Sequence, residues 1–136
     1  MNIFAILLAA LATFIIGFLF HGPLFGKVWI KLADIHPTGN ERFSDMVPQM
    51  VWNLLVNIIT AAVMSLLFWI IFSSPLMGDK TWYKGAVWGV WIWLGFIVTS
   101  SSIGVIWMKQ SWKLWMFECV SSLVSFIAMG IILVLF

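Results

Sequence analysis

The side chains that could carry chemistry are few and lie among long apolar segments. Glu118 is the only acidic residue between Leu114 and Phe136, and His21 follows the apolar run that starts at Ile3. Transfer of an ionised side chain to the bilayer centre costs ~2.5–3.5 kcal/mol on insertion scales, so Glu118 should be protonated, paired or in contact with water. We expect His21 or Lys113 as its partner. Such a residue fits a proton or cation site, although a structural hydrogen bond between helices is the simpler interpretation.

Further polar residues fall at the same end of the apolar spans. Asn53 and Asn57 are spaced by four in the second span, Ser102 lies in the third and Ser122 in the fourth. In an antiparallel arrangement all of them lie near the first and third connections, whereas the opposite half is almost wholly apolar. We therefore predict a polar half-pocket, open toward one side of the membrane, with these lining residues: His21, Asn53, Asn57, Ser102, Glu118 and Ser122.

Small residues at intervals of four mark the expected helix contacts. Inside a bilayer, helices associate through close backbone approach and shared hydrogen bonds. The first span carries Ala9 and Gly17 on one stripe, and the third opens with Gly85 and Gly89. We predict that these four residues pack helices together. Packing within the chain is favoured over dimerisation for Gly85 and Gly89, because four helices already provide partners.

No pattern typical of catalysis, metal binding or nucleic-acid binding is present. Serine is plentiful, but no Ser, His and acid are spaced to lie together, and a nucleophile needs a base within hydrogen-bond reach. His21 and His36 share no helix face with each other or with an acid, so no metal site is predicted. A net charge of +2 without a basic stripe excludes nucleic acid, and one cysteine provides no disulfide. We expect no catalytic residue and no cofactor.

The composition predicts a protein that lies in a bilayer. Of the 136 residues, 63% are hydrophobic and 9% charged, which cannot cover a water-soluble surface. Lipid tolerates an apolar exterior and demands only that backbone amides be satisfied, which helices achieve within each segment. We predict one domain, 1–136, that is an all-α four-helix transmembrane bundle. The expected helices span about 3–22, 47–72, 85–107 and 113–136.

The connections indicate an interfacial helix and an orientation. Trp29, Leu32 and Ile35 recur on one helical face, opposite Lys27, Lys31 and Asp34, as in a short helix in the headgroup plane, with a plain loop as the alternative. Lysine and arginine remain on the cytoplasmic side during insertion. The distribution favours both termini outside the cytoplasm, since the first and third connections hold Lys27, Lys31, Arg42, Lys109 and Lys113, against Lys80 and Lys84 in the second.

The run Gly17-Phe18-Leu19-Phe20-His21-Gly22-Pro23-Leu24-Phe25-Gly26-Lys27-Val28-Trp29 resembles the end of the first helix in the bacterial family called domain of unknown function 1761. Two further signatures, Trp93-Leu94-Gly95-Phe96 and Trp112-Lys113-Leu114, are similar to that family in the third and fourth helices. The resemblance implies a four-helix protein of the bacterial inner (cytoplasmic) membrane and brings no activity, substrate or cofactor. Phe20-His21 stands where Trp-Tyr is common in the family, and Glu118 stands near a frequent Asn.

Two functions remain open from the sequence. One is a small bundle, expected to form homo-oligomers, that binds or passes an unidentified small solute or proton through the polar half-pocket. The other is a non-catalytic membrane scaffold or accessory subunit that acts by helix–helix association. The lipid bilayer is the one partner that the sequence itself demands.

Overall fold

The computed structural model describes residues 1–136 and consists of helices and short connections, without a strand. A 3-10 turn, Pro75–Met77, lies between α3 and α4, and a π-helical segment, Trp93–Val98, joins α4 directly to α5. The helices are α1 (Ile3–His21), α2 (Gly26–Leu32), α3 (Phe43–Phe72), α4 (Trp82–Ile92), α5 (Thr99–Met108) and α6 (Trp112–Leu135).

Four helical stretches are long and apolar enough to cross a membrane. They are α1, α3, the continuous stretch Trp82–Met108 and α6, with 19, 30, 27 and 24 residues. About 20 apolar residues are needed to cross a hydrocarbon core of roughly 30 Å, so α3 must extend beyond it. The predicted all-α fold with four such helices and a short helix after the first is confirmed.

The start of α3 differs from the expected position near residue 47. The helix begins at Phe43, because the Asp45 carboxylate accepts a hydrogen bond from the backbone N–H of Arg42 at 3.1 Å and caps an earlier turn. Pro48 then lies inside the helix. Before it, the exposed Glu41 carboxylate accepts hydrogen bonds from Thr38 and Gly39, which lowers its pKa. Short polar contacts therefore fix the end of the first connection.

The spanning helices are arranged in the order α3, α1, α6 and α4. Helix α6 packs against both α1 and α4, while α3 lies mainly against α1 and makes no close backbone contact with α4. The termini meet at one end of the bundle, where the Asn2 side chain donates a hydrogen bond to the Phe136 carbonyl at 2.8 Å. The first and third connections lie at the other end, together with His21 and Glu118.

Helices α4 and α6 approach each other through glycines. A Cβ atom added to Gly85 would collide with the Gly130 carbonyl, and one added to Gly130 would collide with the Gly85 carbonyl. One turn further along α4, a Cβ on Gly89 would overlap the Phe126 carbonyl. Gly85 and Gly89 thus contact a helix of the same chain.

Helices α1 and α3 pack tightly only toward the end that holds the termini. There Ala9 is fully buried, as are Ala10 and Ala61, and Met64 and Phe68 cover them. Thr13, also buried, donates its hydroxyl proton to carbonyls of its own helix. No residue of α3 before Ala61 is buried. The two helices therefore separate toward the first connection.

The π-helical segment could not be predicted from the pattern of apolar residues. A π turn widens the helix and disturbs its regular hydrogen bonds. The hydroxyls that follow donate back to the helix: Thr99 to the Gly95 carbonyl at 2.6 Å, Ser100 to that of Phe96 and Ser102 to that of Thr99 at 2.7 Å. These polar side chains thus serve their own helix.

Substitution of Gly85 should test the close approach of α4 and α6. In Gly85→Ala the added methyl group meets a backbone carbonyl that cannot move without displacing α6, so we expect a loss of ~1–3 kcal/mol in the free energy of unfolding. The matched control is Gly95→Ala, because no atom lies within 4 Å of the added Cβ. Tryptophan fluorescence during unfolding in mixed detergent micelles measures both variants. Equal stability of the two would contradict the glycine contact.

Candidate functional site

A histidine–carboxylate pair joins the end of α1 to α6. The Nε2 atom of His21 lies 3.1 Å from both carboxylate oxygens of Glu118. The other ring nitrogen, Nδ1, lies 2.9 Å from the carbonyl oxygen of Gly17, one turn earlier in α1. Both side chains are partly exposed, with 29% of His21 and 43% of Glu118 accessible. Of the two partners expected for Glu118, the structure thus places His21 beside it.

The hydrogen bonds fix how many protons the pair holds. A carbonyl oxygen only accepts, so Nδ1 of His21 must carry a proton and donate it to Gly17. The Nε2–carboxylate contact then needs a second proton, either on Nε2 or on Glu118, because otherwise a lone pair would face an anion. In both arrangements the pair is neutral as a whole. Glu118 therefore has a hydrogen-bond partner inside an apolar protein, and the pair leaves no net charge there.

Aromatic rings enclose the imidazole. Trp29 of α2 lies edge-to-face against the His21 ring with the centroids 5.1 Å apart, and Phe117 of α6 does the same at 5.6 Å. Gly26, the first residue of α2, is buried, and a Cβ there would approach the His21 carbonyl to 3.0 Å. Glycine at this position therefore lets α2 lie close to the end of α1, where Trp29 reaches the imidazole.

A cavity of about 370 Å³ lies beside the pair, between α1, α2 and the first half of α3. It occupies the space that opens where α1 and α3 separate. Half of its lining residues are hydrophobic, and His21 forms part of the wall. The lining consists of Phe14, Gly17, Phe18, His21, Gly22, Trp29, Met46, Gln49, Met50 and Asn53.

Two carboxamides at the cavity keep free hydrogen-bonding capacity. The Asn57 side chain donates from Nδ2 to Oδ1 of Asn53 at 3.2 Å, which is the one side-chain hydrogen bond of either residue. The amide nitrogen of Asn53 and the amide oxygen of Asn57 thus have no partner in the protein. Gln49 differs, because its amide nitrogen, suitably oriented, donates to the Asp45 carbonyl at 2.9 Å. The cavity therefore offers the free Asn53 amide donor beside its apolar walls.

The structure brings together part of the predicted half-pocket. His21 and Asn53 line one cavity, Asn57 bonds to Asn53, and Glu118 lies behind His21. Ser102 and Ser122 do not line it. Ser102 donates to its own helix, and the Ser122 hydroxyl accepts a hydrogen bond from Trp93 Nε1 at 3.0 Å, between α6 and the π-helical segment.

Of the small residues expected at helix contacts, Ala9 packs against other helices and Gly17 does not. Ala9 is fully buried, whereas Gly17 has no atom within 4 Å of an added Cβ and faces the cavity. No close contact with another helix is present at Gly17, because α1 and α3 have already separated at its level. Its absent side chain contributes to the volume of the cavity.

Sequence reasoning missed several lining residues. Met46 and Met50 belong to the cavity, although scattered methionines carry no motif. Gln49 precedes Asn53 by four residues, so the carboxamide spacing would have indicated it. The sequence pattern places Trp29 at the membrane interface alone, and only the position of α2 shows its contact with His21.

The fold and the site define a helical protein with four potential membrane spans, a neutral histidine–carboxylate pair and a side cavity. The family model described as protein of unknown function (DUF1761) matches residues 4–134, and the chain belongs to this family. Neither the curated proteins nor the solved structures contain a match. The structure contains no group of three or more His, Cys, Asp or Glu side chains that could hold a metal ion.

Truncation of Glu118 should reveal the coupling between α1 and α6. Glu118→Ala leaves the Nε2 atom of His21 without a partner, so we expect unfolding to become easier by ~1–3 kcal/mol. Glu118→Gln retains a side chain that hydrogen-bonds to Nε2, and a smaller loss is expected. A double-mutant cycle with His21→Ala in mixed micelles measures the interaction energy. Additive effects of the two alanine substitutions would contradict the pair.

Proposed function

We propose that this protein binds a small solute in the cavity between α1 and α3. The observation that carries the proposal is a cavity of about 370 Å³ whose wall includes the unpartnered amide nitrogen of Asn53. Asn53 is exposed on the surface of α3, and its free amide N–H would be unsatisfied in contact with lipid, so a ligand that bonds to it gains free energy. Binding sites for small molecules commonly combine apolar walls with a few such polar groups.

The walls favour an amphipathic solute. Its apolar part would lie against Phe14, Phe18 and Met50, and a hydrogen-bond acceptor on it would reach Asn53. His21 offers no free nitrogen, because Nδ1 and Nε2 both have partners in the protein. The imidazole therefore contributes its ring carbons to the cavity wall and makes no direct hydrogen bond to the solute.

The same geometry supports entry from one half of the bilayer. The first half of α3 contains no buried residue, so the gap between α1 and α3 opens to the side. Beyond the cavity, Ala9 and Ala61 are fully buried and close the path. With the charge distribution described above, both termini would face away from the cytoplasm of a bacterial inner membrane, and the cavity would lie in the cytoplasmic half.

The second candidate function is association between helices of different chains. The first half of α3 packs against no other spanning helix closely enough to bury a residue, and carboxamides promote contacts between helices in lipid. A homo-oligomer or a scaffold would use this surface. In that case Asn53 and Asn57 would bond to a partner chain instead of a solute.

Thiol labelling should show whether the cavity contains water. We expect Asn53→Cys, in a Cys119→Ala background, to react with a membrane-impermeant maleimide added to reconstituted vesicles from one side. The control is Val63→Cys on the same helix. Val63 is exposed in the structure, but we expect it to lie near the depth of the bilayer centre, where a thiolate does not form. Protection of Asn53→Cys from both sides would contradict an accessible cavity.

Native mass spectrometry distinguishes the two candidates. For solute binding we expect a small adduct on the protein as purified, and loss of that adduct in Gly17→Phe. The phenylalanine ring would fill the cavity without a collision at Cβ, because no atom lies within 4 Å of that position. Gly95→Phe, also open at Cβ but remote from the cavity, should keep the adduct. Oligomers without any adduct would favour the scaffold.

A further inference from the structure

We propose that the protein exchanges the proton shared by His21 and Glu118 for a small organic monocation that binds in the cavity, such as a quaternary ammonium or a protonated amine that also carries a hydrogen-bond acceptor for Asn53. This inference rests on the proposed function and names the class of solute. It follows from the juxtaposition of a neutral pair that can lose one proton with a cavity walled by aromatic and thioether groups.

The exchange balances charge and protons. The free protein holds one proton between Nε2 of His21 and the Glu118 carboxylate and is neutral there. When a monocation enters, that proton leaves to water, Glu118 carries one negative charge, and the sum remains zero. A cation entering without this release would leave an uncompensated charge in an apolar region, which costs several kcal/mol.

Loss of the proton also opens the bridge. Nδ1 remains protonated because the Gly17 carbonyl holds it, so a lone pair of Nε2 would face the ionised carboxylate. That contact is repulsive. The carboxylate and the imidazole would separate, which brings the anion into electrostatic contact with an occupant on the cavity side of His21.

The walls suit a cation that carries apolar groups. Trp29, Phe14 and Phe18 present aromatic rings, and a cation over such a ring gains roughly 0.5–2 kcal/mol. The sulfur atoms of Met46 and Met50 are polarizable. No lysine or arginine belongs to the lining, so no full positive charge in the cavity wall repels a cation.

Charged groups on the neighbouring elements do not neutralise Glu118. On α6, Lys113 is exposed and forms no ion pair with it. Lys27 and Lys31 of α2 are exposed as well, and Lys109 lies in the third connection. Asp45, on α3, caps its own helix. The π-helical segment and α5 carry no ionisable side chain. His21 is therefore the one basic partner of Glu118.

Linkage gives the expected pH dependence. One proton released for each cation bound means that the dissociation constant falls about tenfold for each unit rise in pH, as long as the free pair keeps its proton. At higher pH, where the free protein has already lost the proton, the affinity becomes constant. Low pH weakens the binding of the cation, and binding of the cation in turn promotes release of the proton.

Phenyltrimethylammonium and tert-butylbenzene are matched probes for the proposed exchange, since they share a shape and differ in charge. Calorimetric titration of the protein in neutral detergent should give pH-dependent binding of the cation, with one proton released per cation in weakly buffered solution. The neutral probe should bind without proton release and equally at every pH. A second measure of occupancy is competition between the two probes.

Substitutions show which residue is needed for the release of the proton. In Glu118→Gln we expect unchanged binding of tert-butylbenzene, at least tenfold weaker binding of the cation at high pH, and no pH dependence of either. Asp34→Asn is the control, because Asp34 is an exposed acid of the first connection and asparagine tolerates its positive φ of 55°. This variant should behave like the unmodified protein.

The outcomes separate the two proposals. If neither probe binds, the cavity takes no solute, and both proposals are wrong. If tert-butylbenzene binds but the cation binds without proton release, or with release that persists in Glu118→Gln, solute binding stands and the exchange is wrong. Proton release confined to proteins that retain Glu118 would support the exchange.

Discussion

The structure depends on one constraint, that polar groups inside a bilayer must find partners within the protein. Water is absent from the hydrocarbon core, and an unpaired polar group there costs several kcal/mol. Thr13 and Ser102 meet this demand by donating to carbonyls of their own helices. Trp93 meets it across helices, by donating to the Ser122 hydroxyl and the Cys119 carbonyl. Most polar residues of the spans are therefore explained without a ligand.

Against this background, the surroundings of His21 stand out. The pair with Glu118 is satisfied only through a shared proton, whereas the Thr13 hydroxyl is satisfied by carbonyls of its own helix. Asn53 and Asn57 satisfy each other only in part. Both incomplete arrangements adjoin the same cavity, at the level where α1 and α3 separate. This coincidence is the reason for proposing a binding site there rather than ordinary packing.

The sequence predicts the spans well because their signal is additive over about 20 apolar residues each. It also favours a close helix contact within the chain at Gly85 and Gly89, but only the structure identifies α6 as the partner. The site is harder to predict. A serine hydroxyl in a helix reaches a pocket or its own backbone from the same position, so the spacing of Ser102 could not decide between them. The π-helical segment leaves no trace in apolar periodicity, and the order of the helices determines which polar residues share a cavity.

That order also explains which part of the bundle could move to admit a solute. Helices α4 and α6 contact through backbone atoms at Gly85 and Gly130, and such a contact leaves little freedom to slide. The pair with Glu118 and the packing of α2 hold the end of α1 to α6. Helix α3 is different, because none of its residues before Ala61 is buried. In the proposed site, outward displacement of the first half of α3 would enlarge the cavity, so entry of a solute would depend on α3, whereas the shared proton would be held between α1 and α6.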